Sequence, residues 1–240
     1  MKSAAESSSH RNFRAAAQEV TPRLVGVIAD RAALEKATRL RALPDFFELR
    51  LDTLIDDLEE TECVLPRLRA PLIFTARHPA EGGAYDLSLT KRTNLLRRFL
   101  GHAAFLDIEL RSAAKMETLI AEARRRKVTV LLSSHHLRDT PSVAKLRAEL
   151  EAAIIYRPAI FKIASRTDTS AQLDRLVSFF EENFTRLPIA AMGLGKLGGV
   201  SRRQLLSLGS ALNYAAVGAA NAPGQPTLRK LRRTRRAYIK

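Results

Sequence analysis

Eight short apolar runs, each followed by a stretch with helical periodicity, constrain this 240-residue chain more than any other feature. The runs fall at residues 24–28, 45–50, 72–75, 104–108, 128–132, 159–163, 188–192 and, more weakly, 212–217. Between them, segments such as 115–126 and 143–155 repeat apolar residues at three- and four-residue spacing, the signature of amphipathic helices. Pro141-Ser142 and Thr167-Asp168 read as helix starts. Eight strand–helix alternations without a linker predict an α/β chain folded as a single (β/α)8 TIM barrel, whose usual size is about 250 residues. An open doubly wound sheet is the alternative that strand counting leaves. The expected organisation is a flexible or helical lead-in at 1–20, the barrel domain at 21–232 and a basic tail at 233–240.

Composition narrows the class. No apolar run reaches the roughly 18 residues that a membrane span needs. The first 18 residues lack the apolar centre of a secretory signal, and Glu6 and Glu19 argue against an organelle transit peptide. One cysteine, Cys63, excludes an internal disulfide and fits a reducing cytoplasm; in a predicted helix with no metal-ligand cluster, it is expected to pack. The net charge is +15, and seven cations with no acid crowd into residues 226–240. Such a tail can bind nucleic acid without specificity. Base-stacking aromatics are missing there, however, with Tyr238 the only aromatic after residue 225, which argues against a nucleic-acid role.

The polar residues collect at one end of the predicted strands. Glu48, Arg50 and Asp52 end the second, Arg77 and Glu81-Gly82-Gly83 follow the third, and Asp107 and Glu109 end the fourth. His135-His136 follow the fifth and Lys162 closes the sixth, where the apolar run should stop. Arg202 follows the seventh; Asn221 and Gln225 follow the eighth. In a parallel barrel these ends share one mouth, where barrel active sites lie. A lysine at the end of an apolar run is costly unless neutral or paired. Desolvation or nearby cations would make its amine a nucleophile toward ketones, whereas a purely structural lysine would snorkel to solvent. Three arginines, a histidine and a lysine at one mouth point to an anionic, oxygen-rich substrate. Asp52 and Asp107 also suit a structural ion-pair network.

Two patterns mislead. Gly193 to Gly198 matches G-x-G-x-x-G but comes too late for a first βαβ unit, and no acid follows at the dinucleotide-site distance. His135-His136 suggests a metal, yet strand neighbours point to opposite faces. No metal and no cofactor are expected.

With these residues in place, the chain resembles the type I 3-dehydroquinate dehydratases, Schiff-base enzymes of the shikimate pathway. The resemblance covers about residues 24–231. It rests on Glu48-Leu49-Arg50-Leu51-Asp52, on Phe74-Thr75-Ala76-Arg77 with Glu81-Gly82-Gly83, and on Asp107-Ile108-Glu109. Ser133-Ser134-His135 with Thr140-Pro141, Phe161-Lys162-Ile163-Ala164, Met192 to Gly198 with Ser201-Arg202, and Ala222-Pro223-Gly224-Gln225 complete it. The resemblance implies a cofactor-free hydro-lyase that dehydrates 3-dehydroquinate. Lys162 would form the imine, His135 act as general acid and base, and Glu81 orient His135. Glu48, Arg50 and Arg77 would hold ring hydroxyls, Arg202 the carboxylate, and Asn221 and Gln225 would belong to the lid. The register of the Thr-Pro block selects His135 over His136. Asn221 departs from the family's usual serine. Relatives are often dimers, so a homodimer is implied, although no local signal marks an interface. Two other readings stay open: another Schiff-base barrel of the class I aldolase kind, and a non-catalytic nucleic-acid binder.

Overall fold

The computed structural model describes residues 21–220 and 224–239. Eight strands run in parallel: β1 (Arg23–Ile28), β2 (Phe46–Arg50), β3 (Leu72–Thr75), β4 (Phe105–Glu109), β5 (Thr129–His136), β6 (Ile160–Arg166), β7 (Ile189–Leu194) and β8 (Leu212–Ala216). Each pairs with its sequence neighbour from β1 to β7, and β8 pairs with β1. The seam between β7 and β8 is bridged by a side chain: Ser210 Oγ accepts the Ala191 N–H at 3.0 Å, and the Ala211 N–H donates to the Ile189 carbonyl at 2.9 Å. The result is a nearly closed (β/α)8 barrel.

The α-helices between and after the strands are α1 (Arg31–Thr38), α2 (Leu58–Val64), α3 (Leu89–Phe99), α4 (Leu110–Ala113), α5 (Glu117–Arg125), α6 (Val143–Ile154), α7 (Ser170–Asn183), α8 (Gly198–Ser207) and α9 (Leu228–Ile239). Side chains fix their starts. Asp30 caps α1, Ser88 caps α3 and Ser142 caps α6, each accepting an N–H from the first turn. Helix α7 begins two residues beyond the predicted start, because Thr169 forms a capping box with Gln172. Cys63 lies in α2 as expected, but it is exposed, so it does not pack.

Strand alternation divides the apolar residues into two sets. Leu24, Phe47, Leu49, Phe74, Leu106, Leu132, Phe161 and Ile163 face the helices. Val25, Val27, Phe46, Ile73, Leu131, Ile160 and Leu212 fill the barrel. At its floor, Phe46 and Phe105 meet edge to face at 5.2 Å. Above that floor the inward positions turn polar, and here strands β5 and β6 outrun the sequence expectation. They extend to His136 and Arg166, so Lys162 is mid-strand rather than terminal. A strand was expected to stop where its apolar run stops. In a barrel mouth the inward positions hold polar side chains, while ladder hydrogen bonds continue beneath them.

The boundary expected at residue 232 falls inside α9, a continuous helix that covers the β1–β8 side of the barrel. Its Leu228 and Leu231 are buried, and Arg235 pairs with Asp45. The lead-in at 1–20 lies outside the described residues. Among the described residues, no helix is long and apolar enough to cross a membrane.

Candidate active site

The polar layer is built by the ladder. Ser133 lies in register with Glu109 on one side and Lys162 on the other, and Thr75 with Asp107, so their side chains point together into the barrel. Lys162 is 4% exposed, which removes the snorkelling alternative. Its Nζ donates to Glu48 Oε1 at 3.1 Å and Asp107 Oδ2 at 2.8 Å, and lies 4.1 Å from the centre of the Tyr214 ring. The lysine is therefore paired with carboxylates rather than crowded by cations.

Arg77 organises the other side. One guanidinium nitrogen donates to Asp107, Glu109 and Ser133, and the second donates to Asp107 at 2.7 Å. Burial works against this charge, but Asp107 and Glu109 overcome it and hold the guanidinium above its ordinary pKa. Asp107, whose burial alone would favour the neutral acid, is held well below the usual carboxylate range by Arg77 and Lys162. Arg50 grips Asp52 with two hydrogen bonds, 3.0 and 2.8 Å, and reaches the Gly82 carbonyl at 3.1 Å. Asp52 also accepts the Arg77 and Ala84 N–H groups, which folds the loop after β3 back over the mouth. That turn is tight: a Cβ on Gly83 would stand 2.2 Å from the Arg77 carbonyl oxygen.

The fold of that loop presents Glu81. Its Oε2 lies 2.9 Å from Nδ1 of His135, and burial pushes the Glu81 carboxyl up to about 7. Burial, with Arg77 and Lys162 nearby, moves the imidazole well below its ordinary pKa, so His135 is neutral. His136 points the other way, with Nε2 2.9 Å from Glu149 Oε2 on α6. Among the described residues no group of His, Cys, Asp or Glu is arranged to hold a metal ion. Across the barrel stands Arg202, from α8. It is 5% exposed and donates to the Tyr214 carbonyl at 3.2 Å, but among the described residues it pairs with no carboxylate and its buried Nε has no partner. Burial lowers its pKa to about 10.

Glu48, Arg50, Arg77, Glu81, His135, Lys162, Arg202 and Gln225 line one cavity of about 180 Å³. Eight of the residues picked from sequence thus converge. Asn221 lies outside the described residues. The sequence profile of the type I 3-dehydroquinases matches residues 25–238. The chain belongs to the type I 3-dehydroquinase family. It is a hydro-lyase of that family. It is 31% identical over 214 residues to the 3-dehydroquinate dehydratase of Thermococcus onnurineus, covering 88% of this chain and 95% of that one. The 3-dehydroquinate dehydratase structure from Geobacillus kaustophilus superposes with a TM-score of 0.82 at 25% identity, covering 91% of both chains. The enzyme from Enterococcus faecalis gives 0.78 at 28% identity, covering 91% of this chain and 95% of that one.

Within this dehydroquinase barrel, three residues escaped the sequence reading. Tyr214 looked like part of a weak strand; period-two alternation with the inward Leu212 was the available signal. Ser133 was read only as part of a motif, yet its hydroxyl joins Arg77 and Asp107, each at 2.6 Å. Arg92 occupies the buried face of α3 with Leu95, Leu96 and Phe99, and there it pairs with Glu109 at 2.8 Å. A charge on an apolar helix face was the clue. The glycine-rich turn at Gly193–Gly198 is accounted for by chain geometry: Gly195 has φ +85°, and a Cβ there would meet Asp168 Oδ1 at 2.2 Å.

Proposed function

We propose that this chain dehydrates 3-dehydroquinate to 3-dehydroshikimate through an imine on Lys162. The observation that carries the reading is a buried amine and a buried, carboxylate-free guanidinium on one small cavity: a site for a ketone at one end and a carboxylate at the other.

Attack on the C3 ketone requires Lys162 to shed a proton. Asp107, held ionised by Arg77, is a poor acceptor, so Glu48 takes it. The carbinolamine then loses water to give an iminium, an electron sink that acidifies C2. His135 removes the C2 proton. It stands two residues nearer the mouth than Ser133, the register partner of Lys162, which is roughly 7 Å along the strand. When Glu81 is ionised, it accepts the Nδ1 proton and leaves Nε2 basic. The enamine expels the C1 hydroxyl, to which His135 returns its proton, and hydrolysis frees Lys162. The Tyr214 ring, facing Nζ, favours the cationic iminium. Arg202 pairs with the substrate carboxylate, its planar fork suiting bidentate contact. Arg50 and Arg77 face ring hydroxyls, and Gln225 closes over them. The hydration-level chemistry needs no cofactor. In this role the enzyme serves the shikimate route, as a soluble and dimeric catalyst.

Ultraviolet absorbance of the conjugated enone product, followed after mixing protein with 3-dehydroquinate, tests the reaction. A rise is expected; its absence in folded protein would favour an aldolase-like imine enzyme instead. Loss of the general base in His135→Ala should slow turnover about 10²–10⁴-fold. His136→Ala should stay near wild type, and the reverse ranking would overturn the assignment.

A further inference from the structure

Beside the catalytic cavity lies a second one, of about 320 Å³, between α8 and α9. Lys196, Arg202, Arg203 and Lys230 line it, and none of the four forms an ion pair among the described residues. No acid lines it among the described residues. The nearby Asp168 is taken up by Arg166 and by the Lys196 N–H. Elsewhere on this surface the arginines find carboxylates readily: Arg97 with Glu122, Arg98 with Glu62, Arg175 with Asp139. Lys196, Arg203 and Lys230 are exposed and Arg202 is buried, so with no carboxylate among its described lining residues the concavity presents positive charge to an anion.

Two further features aim the cavity at a small anion. Gly199, in the first turn of α8, borders it, and a Cβ there would meet nothing nearer than Arg203 Nη1 at 3.9 Å, so a ligand can approach the backbone. The N-cap residue of that helix, Leu197, has no side chain able to cap the first turn. Independently, Arg202 forms the wall between the two cavities, and its Nε is buried without a partner.

We propose that this cavity is a second anion site that takes a phosphate dianion, either free or as a small phosphate monoester. Lys196, Arg203 and Lys230 would hold the phosphate oxygens, with the amide end of α8 behind them. At about 320 Å³, larger than the catalytic cavity, it has room for a small monoester as well as for the bare ion. Because Arg202 borders both cavities, an anion here competes for the guanidinium that the proposed function assigns to the substrate carboxylate. Occupancy therefore weakens substrate binding, a consequence that rests on that assignment; the anion site itself does not.

Isothermal titration of the full chain with inorganic phosphate, and separately with glycerol 3-phosphate, at ionic strength fixed with chloride, tests the site without turnover. Saturable binding of one equivalent is expected. In Arg203→Ala/Lys230→Ala it should weaken at least about tenfold, with kcat unchanged. Binding of both probes identifies a monoester site, and binding of inorganic phosphate alone identifies a free-ion site. In wild type, phosphate should raise the KM for 3-dehydroquinate severalfold and leave kcat alone; the double variant should lose that effect. Absence of saturable binding, or equal affinity in the double variant, overturns the proposal. Either failure leaves the dehydratase reading intact, just as an inactive enzyme would leave the titration interpretable.

Discussion

Arg77 and Arg202 are both buried arginines on the same cavity, and they live in opposite electrostatic settings. Arg77 donates to two carboxylates and a serine, and its charge is reinforced despite burial. Among the described residues Arg202 donates to one carbonyl and pairs with no carboxylate, and burial pushes it down to about 10. The difference divides the mouth. The β2–β5 side, with Arg50, Asp52, Arg77, Asp107 and Glu109, is a closed network whose charges satisfy one another. The β7–β8 side holds a cation at a desolvation cost that protein contacts leave uncompensated. A charge kept in that condition is matched by a charge on its ligand, whereas a charge balanced by its neighbours holds the scaffold and meets a ligand only through neutral hydrogen bonds.

The largest effect expected from testing this division is on stability. Arg77→Met leaves Asp107 and Glu109 buried without their main counter-charge, and should cost about 3–5 kcal/mol in urea unfolding. If stability is unchanged, the network is not holding the β2–β5 side together. Arg202→Met should do the opposite. Its folding free energy should stay within about 1 kcal/mol of wild type, the scale of one lost hydrogen bond. Its kcat/KM for 3-dehydroquinate should fall by roughly 30-fold or more, since truncating one member of a buried charge pair costs about 2–5 kcal/mol. A destabilised Arg202→Met enzyme with normal KM would reverse the comparison.

The smallest effect sharpens the border between the two sides, at Glu81 and His135. Glu81 has its folded pKa raised from 4.5 to about 7. The folded state binds its proton more tightly than the unfolded state does, so its contribution to stability falls as pH rises through that window. His135, depressed below 6.5, contributes in the opposite sense, and its stabilisation is lost as pH falls below 6.5. In Glu81→Gln only the histidine contribution remains. Unfolding free energy should then rise more steeply between these limits than in wild type, by at most one proton's worth, about 1.4 kcal/mol per pH unit. Parallel pH profiles for the two proteins would show that Glu81 titrates as it does in solvent.

Much of this architecture was legible in the sequence because it is periodic. Apolar runs of four to six residues alternating with amphipathic segments specify a parallel sheet covered by helices, and the polar residues beyond each run mark the mouth. The extensions of β5 to His136 and β6 to Arg166 were not legible. There the inward side chains are polar, so hydropathy fades while the ladder continues. Site residues that interrupt or follow apolar runs, such as Glu48, Arg77 and Lys162, were legible as types out of place. Tyr214 and Ser133 were not, because a tyrosine or serine on a strand carries no such contradiction. The opposite condition of Arg77 and Arg202 was invisible as well: it depends on which carboxylates lie within 4 Å, and that is a property of the closed barrel. The mixed packing of α9, with Leu228 and Leu231 buried beneath a row of arginines, was hidden by the charge of the tail.

The imine on Lys162 is the central claim, and borohydride reduction in the presence of 3-dehydroquinate, read by intact mass, tests it most directly. Wild type should gain one covalent, irreversible increment and lose activity, while Lys162→Ala should gain none and show no turnover. An active wild-type enzyme that gains no mass, or an alanine variant that gains the same increment, would contradict the account.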